Sequence, residues 1–161
     1  MGYSQGSHLQ AEFDLTDPAV SEKYLRGFND THMTQTSQGI CLMTPEGHDP
    51  FFTVDISLAE IDLTADDLPH LEIVFMTLAT NPTPEYGMEI FLCAGDVPHA
   101  TAGISIYTTF CNSAGSFQVI RLDLSQSPYW TGEIHSIRID YFSPGNPGDI
   151  MYIKSVKLTS N

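Results

Sequence analysis

The sequence predicts an all-β protein: a two-sheet antiparallel β-sandwich of about eight strands. Three observations carry this. Short runs rich in Ile, Val, Phe, Tyr and Thr recur between clusters of Gly, Pro, Asn and Asp. Within those runs apolar residues alternate with period 2. No segment longer than ten residues keeps an apolar period of 3.6, so no long helix is expected.

The elements follow in order. Residues 1–9 are mostly polar, contain no apolar signal-peptide core, and read as a linker or an added N-terminus. Residues 10–161 read as one domain, a length that suits one sizeable core. Gln10–Leu15 alternates weakly. Ser21–Phe28 fits one helical turn or a loop. Gly39–Met43 and Phe51–Ser57 bracket a turn-rich Thr-Pro-Glu-Gly-His-Asp-Pro stretch, and Leu58–Pro69 is acidic and loop-like. Leu71–Ala79, Met88–Ala94, Gly103–Phe110, Phe117–Leu124, Glu133–Phe142 and Ile150–Leu158 are the strongest strand signals.

Period 2 also assigns faces. Ile120, Leu122 and Leu124 share one face of their run, opposite Phe117, Val119, Arg121 and Asp123. Ile137, Ile139 and Tyr141 oppose Ser136, Arg138 and Asp140. Ile134 breaks that parity, which predicts a bulge near His135. Glu72 and Glu89 sit inside otherwise apolar runs. Charge on one face of each strand requires that face to meet solvent, as in two sheets packed face to face.

Composition excludes several functions. Twenty acidic residues against six Lys and Arg give a net charge of −14, which repels nucleic acid and anionic lipid. No apolar run is long enough to span a bilayer. Neither a nucleic-acid nor a membrane partner is expected. Cys41, Cys93 and Cys111 form no CxxC pair, and an odd count argues against a full disulfide framework. They are expected to be reduced, buried and hydrophobe-like. The six histidines show no HxH or HExxH spacing, so zinc is not expected. No Gly-x-Ser-x-Gly, P-loop or dinucleotide fingerprint is present, and a sandwich with short loops offers little depth for enclosing a substrate. The chain is not expected to be an enzyme. Asn29-Asp-Thr31 matches a glycosylation sequon.

Three pieces carry a family resemblance: Gly39-Ile-Cys-Leu-Met with Gly47-His-Asp-Pro-Phe-Phe; Trp130-Thr-Gly-Glu-Ile with Ile137-Arg-Ile-Asp; and Gly148-Asp-Ile-Met-Tyr-Ile-Lys-Ser-Val-Lys-Leu. As a set they resemble the galactose-binding-like jelly-roll domains, a fold shared by many carbohydrate-binding modules. The resemblance implies a jelly roll with neighbouring termini. It implies a non-catalytic, extracellular or cell-surface module that binds a polysaccharide or oligosaccharide, beside a catalytic domain in a longer chain. A spacer or protein-interaction domain that binds no sugar is the alternative. Many such modules hold a structural calcium ion between first and last strands; here Glu12, Asp14 and Asp149 are the available ligands. Lys154 stands where such modules often carry an acidic residue.

Sugar recognition needs aromatic faces for pyranose rings and planar polar groups for hydroxyls. Tyr86, Tyr107, Tyr129 and Tyr141 are candidate stacking faces, Tyr86 and Tyr107 foremost. So is Trp130, the single tryptophan, although its Trp-x-Gly-x-Ile context also fits packing on the sandwich edge. The chain has only three arginines, and Arg121 and Arg138 both fall mid-strand, beside Asp123 and Asp140. An arginine fork suits bidentate contacts. The expectation is one outer sheet face carrying both arginines and Asp140 as a ligand platform. The alternative is a set of cross-strand ion pairs with Glu72, Glu89, Asp123 or Asp140.

Overall fold

The computed structural model describes the backbone of Gly2–Ser4 (β1) and residues 9–79 and 85–161 in full. Most of the linker reading, and residues 80–84 before Tyr86, lie outside the described residues. Next come β2 (Gln10–Asp14), α1 (Pro18–Tyr24), β3 (Leu25–Asn29), β4 (His32–Thr36), β5 (Gly39–Met43) and β6 (Phe51–Val54). The remainder are β7 (His70–Leu78), β8 (Tyr86–Ala94), β9 (Ser105–Phe110), β10 (Gln118–Asp123), β11 (Ile134–Asp140) and β12 (Ile150–Thr159). Every strand pairing is antiparallel. Seven strands form the first sheet and five, in the order β3-β6-β11-β8-β9, form the second.

The described residues form twelve strands, several of them short, around the sandwich of about eight that the sequence predicts. The additions are edge strands. β3 contains Gly27 and is exposed over four of its five positions, and β4 buries none of its positions fully, so neither shows apolar alternation. The helix begins earlier than expected: Asp17 caps it by accepting from the Ala19 amide at 3.0 Å, and Pro18 occupies the first turn.

The first sheet is organised on β12. One edge pairs with β7 along its whole length. The other edge is shared, Ile150–Ile153 pairing with β5 and Ser155–Thr159 with β2. Lys154 is a bulge at the changeover, where its carbonyl accepts the Leu15 amide at 3.0 Å. Gly39 opens β5 against this point with φ +112°, and a Cβ there would overlap the Ile153 carbonyl. Leu9 and Ser160 exchange hydrogen bonds, one from the Leu9 amide to Ser160 Oγ and one from the Ser160 amide to Leu9 O, both 2.8 Å. The two ends of the domain therefore meet, as expected.

The predicted faces hold. Ile120, Leu122, Leu124, Ile137, Ile139 and Tyr141 are buried between the sheets, and β11 shifts register at His135. A run of rings crosses the interior: Phe75–Phe110 at 5.1 Å, Phe110–Tyr86 at 5.8 Å, Tyr86–Phe142 at 5.8 Å and Phe142–Tyr141 at 5.7 Å. The buried Tyr141 hydroxyl bonds Thr31 at 2.7 Å, so burying it leaves no polar group stranded. All three cysteines are free; Cys93 is buried, but Cys41 is half-buried and Cys111, just past β9, is exposed.

Gly39→Ala combines a left-handed backbone with a backbone overlap. It is expected to destabilise the domain by about 3 kcal/mol or more. Gly115 has φ +96° but open space around its missing Cβ. Gly115→Ala should therefore cost only about 1 kcal/mol. Urea unfolding of the two variants measures the difference, and equal costs would remove the role given to the β12 bulge.

Candidate functional site

The two arginines lie on different sheets. Arg121 is on β10 and pairs in register with Glu72 of β7 in the first sheet. Its Nη1 donates to Glu72 Oε2 at 2.6 Å, and Lys157 Nζ lies 3.7 Å from Glu72 Oε1. Register places Glu12, Lys157, Glu72 and Arg121 side by side on successive strands, so charge sign alternates across this face. The single platform joining Arg121 to Arg138 is thus corrected. Period 2 reports which face a residue takes but not which sheet its strand joins. Here the chain changes sheet between β10 and β11.

Arg138 lies on the outer face of the second sheet. Its guanidinium carbon sits 3.6 Å from the Phe51 ring centroid and 4.5 Å from that of Phe91, which come from the strands on either side. Nε donates to Asp140 Oδ1 at 2.8 Å and Nη2 to Asp140 Oδ2 at 2.9 Å, a bidentate fork. The Asp140 side chain is only 5% exposed and that of Arg138 21%. Burial pushes the Asp140 carboxyl above its ordinary value; Arg138 pulls it back only in part, and Asp49 and Glu89 add repulsion. The same hydrogen bonds hold Arg138 above its own usual value, and three carboxylates surround it: Asp140, Asp49 and Glu89.

Tyr107 completes the face. It is 57% exposed, and its phenol end lies directly over Gly87, where a Cβ would overlap it. Its hydroxyl donates to the Ser143 carbonyl at 3.3 Å. Ser105, beside it on β9, donates to Glu89 Oε2 at 2.6 Å. Register sets Thr53, Arg138, Phe91 and Ser105 in one row across β6, β11, β8 and β9. Three strand spacings make this row about 14 Å long.

Asp30 positions one margin of the face. Its carboxylate accepts from the amides of Glu46 at 2.9 Å, His48 at 2.7 Å and Asp49 at 3.3 Å. Partial desolvation pushes this carboxyl up, but those bonds and His48 outweigh it and hold it below the ordinary value. Asn29 of the sequon donates to the Asp49 carbonyl at 2.7 Å. The loop so fixed leads directly into Phe51.

Of the six expected ligand residues, Tyr107, Arg138 and Asp140 come together. Arg121 belongs to the opposite outer face. Tyr86 is buried, because β8 begins at Tyr86 and gives it the inward parity of Met88, Ile90 and Leu92. Trp130 is also buried, with Nε1 donating to the Leu68 carbonyl at 3.0 Å. Phe51, Phe91 and Glu89 join Tyr107, Arg138 and Asp140, outside the six expected ligand residues, although each shares the outward parity of its strand.

The expected calcium ligands do not converge. Glu12 stands opposite Lys157. Asp14 Oδ1 accepts from Thr16 N at 3.0 Å and Thr16 Oγ1 at 2.6 Å. Asp149, fully buried, accepts the Asn146 amide at 3.1 Å. It precedes the opposite end of β12, six positions from Ser155, the partner of Asp14, which is roughly 20 Å of strand. Among the described residues, no group of three or more His, Cys, Asp or Glu is placed to hold a metal.

No family model and no curated protein matches the chain. Solved structures do. A family 29 carbohydrate-binding module from Piromyces equi is 9% identical, with a TM-score of 0.66 over 97% of this chain and 93% of that one. A variant of a second such module, complexed with mannohexaose, is 10% identical with a TM-score of 0.66 over 97% and 94%. Another, complexed with cellulohexaose, is 10% identical with a TM-score of 0.65 over 96% and 92%. At this identity the likeness is one of fold, and it establishes the jelly-roll β-sandwich.

Arg138→Ala leaves Asp140 buried without its partner. The expected cost at neutral pH is about 3 kcal/mol, the lower end for a buried pair because the guanidinium keeps some exposure. Asp140, already raised, should rise further. A raised carboxyl contributes stability that is lost as pH rises through its folded pKa, so the variant's deficit should shrink in acid. Arg121→Ala breaks an exposed pair and should cost under about 1 kcal/mol. Denaturant titrations at neutral and acid pH separate the two; equal, pH-independent costs would contradict the burial argument.

Proposed function

We propose that this chain is a non-catalytic carbohydrate-binding module whose ligand lies across the outer face of the second sheet. The observation that carries this reading is the exposed Tyr107 ring on the same outer face as the Phe51–Arg138–Phe91 stack. An open aromatic ring and a fixed guanidinium on one sheet face offer a glycan both an apolar surface and a hydroxyl partner. The fork is preorganised by Asp140 and by the two phenylalanine rings, so little ordering remains for binding to impose. The structural neighbours support the reading: they are carbohydrate-binding modules, two of them complexed with mannohexaose and cellulohexaose. Variants of those modules replace an arginine and an aspartate two positions apart with alanine to probe ligand recognition. Arg138 and Asp140 have that spacing here.

The charge balance narrows the ligand. Three carboxylates around one arginine, in a chain of net charge −14, disfavour uronate or sulfated polymers. An uncharged glycan fits. The face is an open sheet surface, not a cleft flanked by two free carboxyls, so binding rather than hydrolysis is the reading. An extracellular or cell-surface location, and a neighbouring catalytic domain served by the module, belong to the same proposal. The rival is a spacer that binds no sugar. It has one observation in its favour: two of the arginine's three nitrogens are already spent on Asp140.

Affinity electrophoresis through a panel of neutral and acidic polysaccharides decides between them. The module should be retarded by a neutral glycan and not by acidic ones. Tyr107→Ala should weaken retardation about ten-fold, the equivalent of about 1.4 kcal/mol, with its unfolding midpoint nearly unchanged. Mobility indifferent to every polysaccharide would leave the spacer reading.

A further inference from the structure

We propose a second sugar subsite, beyond the edge of the sheet, in the groove between β9 and residues 126–129. The inference rests on the carbohydrate-binding reading above and extends it. The groove has a volume of about 300 Å³, at the lower limit for small-molecule sites. Ser105, Tyr107, Gln126, Ser127, Pro128 and Tyr129 line it. These are two aromatic rings, a proline ring, two hydroxyls and an amide, with no charged side chain. That set suits an uncharged sugar: apolar ring faces flank it, and neutral donors and acceptors meet its hydroxyls.

The groove is continuous with the platform. Ser105 ends the cross-sheet row that runs through Arg138 and Phe91, and it also lines the groove. Tyr107 belongs to both. A glycan lying perpendicular to the strands therefore leaves the sheet over Ser105 and meets Tyr129, which is 49% exposed.

The outer wall is held in place. Trp130, next to Tyr129, is buried and hydrogen-bonded to the Leu68 carbonyl. Asp66 accepts from Thr131 Oγ1 at 2.9 Å and from the Gly132 amide at 3.0 Å. The Ser127 amide donates to the Leu124 carbonyl at 3.1 Å. The wall carrying Tyr129 is thus fixed on both sides, and a subsite there would be preorganised. The buried Trp130 acts as the anchor that presents its neighbour.

Calorimetric titration with β-1,4-linked manno- and gluco-oligosaccharides of two to six units tests this. Wild-type affinity should rise with length. Tyr129→Ala should match wild type on the shortest ligands that bind and lose about ten-fold on the hexamers, with an unchanged thermal midpoint. Tyr107→Ala should lose affinity at every length. If Tyr129→Ala equals wild type throughout, or loses equally at every length, the subsite is overturned and the platform stands. If wild type binds nothing in the ladder or in the polysaccharide panel, both proposals fall together.

Discussion

The shared edge of β12 is the constraint on which the rest of the domain depends. One ten-residue strand hydrogen-bonds to β7 on one side and to both β5 and β2 on the other. A bulge at Lys154 marks the changeover, where β12 carries one extra residue against β7 between Ile153 and Ser155. Gly39 makes the close approach of β5 to that bulge sterically possible. Closure of the domain at Leu9 and Ser160 follows from the same pairing, since β2 and β12 run antiparallel and end together.

From this frame the two outer faces take different forms. The first sheet carries a row of alternating charge, from Glu12 through Lys157 and Glu72 to Arg121. Such exposed pairs contribute little each and present no concentrated field. The second sheet gathers the Arg138 guanidinium, two aromatic rings and the buried Asp140 carboxylate into one place. There the pair is largely desolvated, so geometry is tightly held and truncation is expensive. The run of rings between the sheets, from Phe75 to Tyr141, supports that face from beneath.

Most of the fold was legible because burial imposes period 2. The alternation in β7, β8, β10, β11 and β12, and the parity break at His135, follow from which side chains must leave water. Strands β3 and β4 escaped because edge strands bury little and need not alternate. The site was half legible. Arg138 and Asp140 stand out as charges on the outward parity of a central strand, and Tyr107 as an aromatic among Ser and Thr. Sheet membership is not encoded in parity, so Arg121 could not be separated from Arg138. Tyr86 shows the converse limit: an aromatic beside a turn reads as exposed until the first inward position of its strand is known. Trp130, by contrast, packs on the sandwich edge as its Trp-x-Gly-x-Ile context indicates, with its indole bonded to the Leu68 carbonyl.

A glycan on the outer face of the second sheet would perturb the backbone amides beneath it. A backbone amide NMR titration of the labelled chain with mannohexaose and with cellulohexaose reads this out. Shifts should concentrate at Phe51, Phe91, Ser105, Tyr107 and Arg138, with the amides around Arg121 and Lys157 unmoved. Shifts confined to the charge row of the first sheet, or to loop tips away from both faces, would contradict that placement.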